Sequence, residues 1–93
     1  MQIIWDTEKN KKLIAERGIA FEELAAIILE RKYWAILKNP ARKRQKIIVL
    51  PYHGYTHVVP FILDTERNIV LKTAFPSRKY HKIYGGKNAQ NKT

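Results

Sequence analysis

The residues with the clearest chemical potential lie close together in the stretch SRKYHKIY, residues 77–84. Arg78 and Lys79 follow Ser77, so if Ser77 caps a helix, both cations flank a helix N-terminus, whose unpaired N–H groups favour an anion. His81 adds an imidazole three residues after Arg78, and this side chain readily exchanges a proton near neutral pH. The segment therefore has the parts of a phosphate site, although a solvated helix start would contain the same residues.

Lys72 is a second candidate, within the β-prone run NIVLKTAF. Alternation along a strand places Lys72 with Val70 and Ala74 on one face, and the odd-numbered residues from Ile69 to Phe75 on the other. The odd-numbered set is expected to face the helices, which leaves Lys72 on the open face of the sheet. There it either solubilises the sheet or takes part in anion binding.

The densest basic run consists of four residues: Arg42, Lys43, Arg44 and Lys46. No acidic residue occurs between Glu30 and Asp64. The run is either a solvated loop or a surface that follows a phosphate backbone, and in the second role it would add affinity rather than sequence preference.

The remaining candidates have structural readings as well. His53 and His57 flank the Gly54 turn and could be simple loop residues, which leaves His81 as the best acid or base. Tyr80 could stack on a nucleobase, but with Tyr84 four residues later it could equally pack the helix down. Neither an HxE nor an HExxH pattern occurs, so we expect no metal site and no cofactor.

Two N-terminal helices are predicted to support these residues. Asp6 is a candidate N-cap for a helix that runs to about Arg17, and Gly18 is well placed to end it. A second helix is predicted in AFEELAAIILERK, because four apolar residues follow at i, i+3, i+4 and i+7: Phe21, Leu24, Ala25 and Ile28. Ile27 and Leu29 widen this apolar stripe.

Four β-prone runs follow the helices: YWAILK, KIIVLPYH, THVVPFILD and NIVLKTAF. Their short connections predict an α+β domain, in which the two helices pack on one face of a small antiparallel sheet and a short C-terminal helix closes the chain. Pro51 and Pro60 should cause a bulge or one-sided pairing, since proline cannot donate to a ladder. We predict a single domain over residues 1–84 and a polar, disordered tail over residues 85–93.

Charge is distributed unevenly along the 93 residues, whose formal net charge is +10. Residues 1–37 carry six basic and six acidic side chains, whereas residues 38–93 carry twelve basic and two acidic ones. Such segregation is typical of a polyanion-binding surface and favours nucleic acid, or else an acidic protein, as partner. The chain has no Cys, no signal-peptide pattern and no apolar run of membrane length, so we expect a soluble, cytoplasmic protein.

Three segments, taken in order, resemble the BrnT-like toxins of bacterial and archaeal toxin–antitoxin pairs, within the wider RelE/ParE group of small α+β proteins. They are WD-x-x-K-N at residues 5–10, G-I-x-F-E-E at residues 18–23 and L-K-T-x-x-P-S-R-K at residues 71–79. The resemblance implies a cytoplasmic ribonuclease that works without a metal and inhibits translation. It also implies a ribbon-helix-helix antitoxin that is encoded beside the toxin and neutralises it.

The residue types and positions, taken together with the resemblance, indicate roles for individual residues. Lys72 and Arg78 would stabilise the phosphate that the neighbouring 2′-OH attacks, and His81 would act as acid or base. The remaining basic residues and Tyr80 would bind RNA: Arg42, Lys43, Arg44, Lys46 and Lys79.

Two departures from the family pattern leave the second helix without its expected side-chain cap and the general base open. Ala20 stands where the family has Ser, and the loop from Asn39 to Gln45 lacks the acidic and His-bearing pattern of the best-studied branch. A non-catalytic nucleic-acid-binding module remains an alternative interpretation, as does an adaptor for an acidic protein.

Overall fold

A computed structural model describes residues 2–85, which form helices and a six-stranded sheet. The elements in order are β1 (Ile3–Trp5), α1 (Thr7–Arg17), α2 (Phe21–Leu29), β2 (Ala35–Lys38), β3 (Lys46–Tyr52), β4 (Tyr55–Leu63), β5 (Ile69–Leu71), β6 (Phe75–Pro76) and α3 (Arg78–Tyr80). A π-helical turn over His81–Gly85 continues α3. The predicted mixture of helices and strands is confirmed. Of the predicted tail, Gly85 belongs to this last turn, and the rest lies outside the described residues.

The sheet is mixed rather than purely antiparallel. Its strand order is β1-β5-β4-β3-β2, with β6 paired to the other end of β4, and β1 runs parallel to β5. The antiparallel prediction is therefore wrong at this edge. The physical reason is that β1 and β5 are joined through two helices and three strands, a connection long enough to let the chain re-enter in the same direction.

The run NIVLKTAF is not one strand, because pairing stops after Leu71 and resumes at Phe75. β5 pairs with residues 61–63 of β4 and β6 with residues 57–58, so Pro60, which has no N–H, lies in the gap. The chain turns within this gap, so Ala74 is fully buried whereas Phe75 is 37% exposed, opposite to the predicted faces. The prediction of a bulge or one-sided pairing at the prolines is confirmed in its second form: Pro51 pairs only with β4 and Pro60 only with β3, and the β3–β4 register continues without a bulge.

Buried side chains lie on both faces of the sheet. On one face, residues of α1 and α2 share a cluster with alternate residues of β3 and β4. All four residues of the predicted α2 stripe are buried, but Leu29, expected to widen it, is 73% exposed. On the other face, Tyr80 and Tyr84 pack against Val49 and Val58, which agrees with the packing interpretation of these tyrosines.

The corner between α1 and α2 is built from residues of the first two motifs. Asp6 caps α1, and Gly18 ends it in the left-handed conformation at φ 66°. Ala20 is the N-cap residue of α2 and provides no side-chain bond, as expected. The missing side-chain bond is supplied by Asn10 of α1, whose buried Oδ1 accepts a 2.9 Å hydrogen bond from the N–H of Phe21. These motif residues therefore stabilise the fold rather than supply chemistry.

Candidate nucleic-acid interface

A cleft of 390 Å³ opens beside β4, between the β2–β3 loop and the segment that joins β5 to β6. We call it the basic cleft. It is lined by Lys9, Asn39, Ala41, Arg42, Gln45, Pro60, Lys72, Thr73 and Phe75. Three of these residues are cationic and none is acidic, so the cleft concentrates positive potential and attracts an anion.

Lys72 is anchored in the cleft by its backbone. Its N–H donates to the carbonyl of Pro60 at 2.9 Å, and its own carbonyl accepts a bond from Lys9 Nζ at 3.2 Å. The second bond brings Lys9 of α1 to the same place. Lys9 was missed as a candidate, although it is the lysine of the WD-x-x-K-N motif. The motif already contained Lys9, but residues 1–37 have no net charge, so their lysines were not considered as anion-binding residues.

The positive surface continues from the basic cleft onto α1. A smaller hollow of 170 Å³ is lined by Lys9, Lys12, Arg17 and Lys72 with Glu16 as its only acidic side chain. Arg17 is held there because its guanidinium donates to the carbonyl of Ala74 at 3.0 Å. Hence α1 contributes cations to the positive surface, although the distribution of charge along the sequence predicted that this surface would be formed by residues 38–93.

The predicted basic run is divided by the fold. Arg42 lines the basic cleft, whereas Arg44 and Lys46 line a separate hollow beside the end of β4. Lys43 is exposed in the same loop. The structure therefore brings Arg42, and not the whole run, beside Lys72.

Arg78 and Lys79 are exposed at the start of α3, where Ser77 Oγ accepts from the N–H of Tyr80 at 3.2 Å. The predicted Ser77 cap is thus confirmed. Neither cation lines the basic cleft. The N–H of Ser77 bonds the carbonyl of Thr56, and that of Lys72 bonds the carbonyl of Pro60. These anchor points are separated along β4 by about 13 Å, at ~3.3 Å per residue.

His81 is fixed against the first residues of β4. Its ring stacks on Tyr55 at 4.0 Å, and its Nδ1 lies 2.9 Å from the Thr56 hydroxyl and 3.4 Å from the Thr56 N–H. A backbone N–H can only donate, so Nδ1 acts as acceptor and the neutral ring carries its proton on Nε2. In this tautomer His81 presents a hydrogen-bond donor to its surroundings rather than a base.

The other two histidines have different environments. His57 is a buried β4 residue, not a simple loop residue, because its side chain turns inward and bonds the carbonyl of Tyr55 at 3.0 Å. Burial lowers the pKa of His57 below its ordinary value. His53 does lie in the turn, at φ 52°, with its ring stacked on Tyr52 at 3.9 Å and its Nε2 3.8 Å from Glu23.

Tyr52 links the hairpin to α2. Its hydroxyl hydrogen-bonds the carboxylate of Glu23 and accepts from the N–H of Ala20 at 3.2 Å. Burial, with the Glu23 bond adding to it, raises the pKa of Tyr52. The hydroxyl is occupied on both sides by the start of α2, so Tyr52 acts first as a structural connection.

Within residues 2–85, no group of three or more His, Asp or Glu side chains is arranged to hold a metal ion. Nor does that part of the chain contain a helix of the length and apolarity needed to cross a bilayer.

The fold and the cleft together define a small α+β protein with a cationic groove beside its central hairpin. No protein-family model and no curated protein matches the chain. The chain is similar to the 1.1 Å crystal structure of the Brucella abortus ribonuclease toxin BrnT, with a TM-score of 0.64, 19% identity, and coverage of 83% of this chain and 96% of that chain. The resemblance drawn from the three motifs is confirmed at the level of the fold.

Proposed function

We propose that this protein is the toxin of a toxin–antitoxin pair and acts as an endoribonuclease. The observation that carries the proposal is the basic cleft, in which Lys9, Arg42 and Lys72 converge and to which, within residues 2–85, no carboxylate contributes. It is supported by the shared fold with BrnT, a ribonuclease toxin. A cleft of this composition suits the backbone of single-stranded RNA, whose phosphates are its strongest anionic groups.

The reaction we propose is attack of a 2′-OH on the adjacent phosphorus. The 2′-oxygen loses its proton to water, the P–O5′ bond breaks, and the 5′-oxygen takes up a proton from water, which leaves a 2′,3′-cyclic phosphate and a 5′-hydroxyl. Lys72 would contact the reacting phosphate, whose charge is crowded as the new bond forms, and Lys9 with Arg42 would hold the phosphates beside it. Arg78 would bind the same strand further along, at the start of α3. These cations can stabilise the transition state themselves, so the proposed reaction is independent of a metal ion.

His81 and the residues around α3 have accessory roles in this proposal. The Nε2–H of His81 would donate a hydrogen bond to a phosphate oxygen, without transferring its proton. Electrostatic affinity would come from the other exposed cations, Lys79 of α3 with Lys43, Arg44 and Lys46 near the β2–β3 loop. Tyr80 would only pack α3 against the sheet.

The proposed toxin function also implies a structural group, a cellular effect and a protein partner. We place the chain in the RelE/ParE-like group, with the two helices covering one face of the sheet. Its activity would inhibit translation in the cytoplasm, and a ribbon-helix-helix antitoxin encoded beside it would neutralise the cationic surface.

A non-catalytic RNA-binding module is the second candidate, and the tautomer of His81 favours it, because this ring offers no free base. Expression of the chain alone, followed by mapping of transcript 5′ ends, separates the two functions. The toxin reading predicts growth arrest with new transcript ends, and both disappear when the adjacent antitoxin gene is expressed. Binding to RNA without new ends would favour the module.

A further inference from the structure

We infer that the basic cleft contains a base-recognition subsite, in which the side-chain amide of Gln45 favours nucleobases that present a carbonyl oxygen. The inference rests on the proposed function, since it assigns a sequence preference to the same RNA-binding cleft. Four contacts in the β2–β3 loop carry it.

The orientation of the Gln45 amide follows from the loop's hydrogen bonds. The backbone N–H of Ala41 donates to the Asn39 side chain at 2.9 Å, and because a backbone N–H only donates, the contacted atom is Oδ1. Asn39 Nδ2 is thereby turned to Gln45 and donates to its Oε1 at 3.2 Å. Gln45 Nε2 keeps both hydrogens, and within residues 2–85 no group accepts them.

The backbone of this loop holds the amide in place. The N–H of Asn39 bonds the carbonyl of Gln45 at 3.1 Å, and the N–H of Gln45 bonds the carbonyl of Arg42 at 3.1 Å. Gln45 is half-buried and lines the basic cleft together with both of these residues. A pre-positioned amide loses little conformational freedom when it binds a base, which favours its use in recognition.

An aromatic platform lies in the same cleft. Phe75 is 37% exposed and is held by the pairing of β6 with Val58 of β4. A free aromatic face stacks any base, while Arg42 and Lys72 can bind the phosphates on either side. The cleft therefore offers a nucleotide three contacts at once: stacking, phosphate binding and a hydrogen bond to the base edge.

The free groups of Gln45 determine which base fits. Two outward hydrogens on Nε2 match the carbonyl oxygens of uracil, cytosine and guanine. Adenine offers this donor only a ring nitrogen such as N7, beside which its N6 amino group needs an acceptor, and Gln45 Oε1 is already engaged by Asn39. Since a neutral hydrogen bond contributes ~0.5–1.5 kcal/mol, the expected discrimination against adenine is ~2- to 10-fold.

The test compares binding of short single-stranded oligo(A), oligo(U) and oligo(C) to the wild-type protein and to Gln45→Met and Gln45→Glu. The glutamate keeps the bond accepted from Asn39 and replaces the outward donors with a carboxylate oxygen. Gln2→Met is the matched control, since the exposed Gln2 lies at the β1 end of the sheet and lines no part of the basic cleft. We expect the affinity ratio of U or C over A to fall ~2- to 10-fold in both Gln45 variants and to stay unchanged in the control.

Because the ratio is taken within each variant, a general change in charge or affinity cancels. If Gln45→Met melts earlier than the wild type, the ratio is measured at a temperature at which Gln45→Met is folded. A ratio that stays at the wild-type value in the Gln45 variants overturns the subsite, even if the protein cleaves RNA. A ratio that falls as expected supports it, even if wild-type protein does not cleave, in which case the proposed ribonuclease function is what fails.

Discussion

At the scale of single residues, Asn10 illustrates how a motif residue can be structural. Its Oδ1 caps α2, and its Nδ2 donates to Glu22 Oε1 at 2.7 Å, a bond that lowers the pKa of Glu22. Asn10→Ala leaves the N–H of Phe21 buried without a partner, so we expect a loss of ~1–3 kcal/mol in the free energy of unfolding. Chemical denaturation measures it.

The control for Asn10 is its neighbour Lys11, which is exposed. Lys11→Ala should change the free energy of unfolding by less than ~0.5 kcal/mol. Equal effects of the two substitutions would mean that Asn10 is not the cap of α2.

His57 makes stability depend on pH. Burial lowers its pKa in the folded protein below the ordinary value of 6.5, so the unfolded chain binds the proton more readily. The contribution of His57 is therefore complete above this value and is lost as the pH falls through the lower pKa of the folded state. Denaturation midpoints measured above and below pH 6.5 should decrease on acidification, and less so in His57→Gln, which has no titrating ring. The same decrease in His57→Gln would place the titrating group elsewhere.

At the scale of elements, the start of α2 can be improved. Ala20 has the extended conformation of an N-cap but no side-chain bond, because the cap is provided from outside by Asn10 and Tyr52. A serine oxygen at this position could accept from the first turn of the helix, so Ala20→Ser should stabilise the protein by up to ~1 kcal/mol. Thermal melting tests this, with Ala26→Ser, inside α2, as a control that should not stabilise. An unchanged or lower melting temperature for Ala20→Ser would contradict the capping argument.

The elements also show what the sequence could and could not predict. The bounds of α1 and the stripe of α2 followed from local signals, namely the Asp6 cap, Gly18 and the 3.6-residue period. The break between β5 and β6 did not, because it depends on where Pro60 of another strand falls in the register. The sequence predicted only part of the basic cleft. Lys72 and Arg42 were candidate residues, whereas Lys9 reaches the cleft only because α1 packs beside Lys72.

At the scale of the whole molecule, charge should control RNA binding. If Lys9, Arg42 and Lys72 each neutralise one phosphate, they alone contribute about −2 to the slope of log K against log salt, at ~0.7 per contact on single strands, and Arg78 with the accessory cations should make the slope steeper. Titrations with a labelled single-stranded RNA at several salt concentrations measure this slope. A flat response would remove the electrostatic account of the cleft.

The central claim is that the basic cleft catalyses RNA cleavage. The most direct measurement is the cleavage rate of RNA in excess chelator for the wild type, Lys72→Gln and the control Lys32→Gln, an exposed lysine outside the cleft, with folding matched by circular dichroism and melting. We predict that the wild type and Lys32→Gln cleave equally, and that Lys72→Gln is slower by ~10²-fold or more, the usual cost of losing one pre-positioned charge at a transition state. Arg78→Ala, measured alongside, should also be slower. Equal rates for Lys72→Gln and the wild type, or no cleavage by the wild type, would contradict the claim.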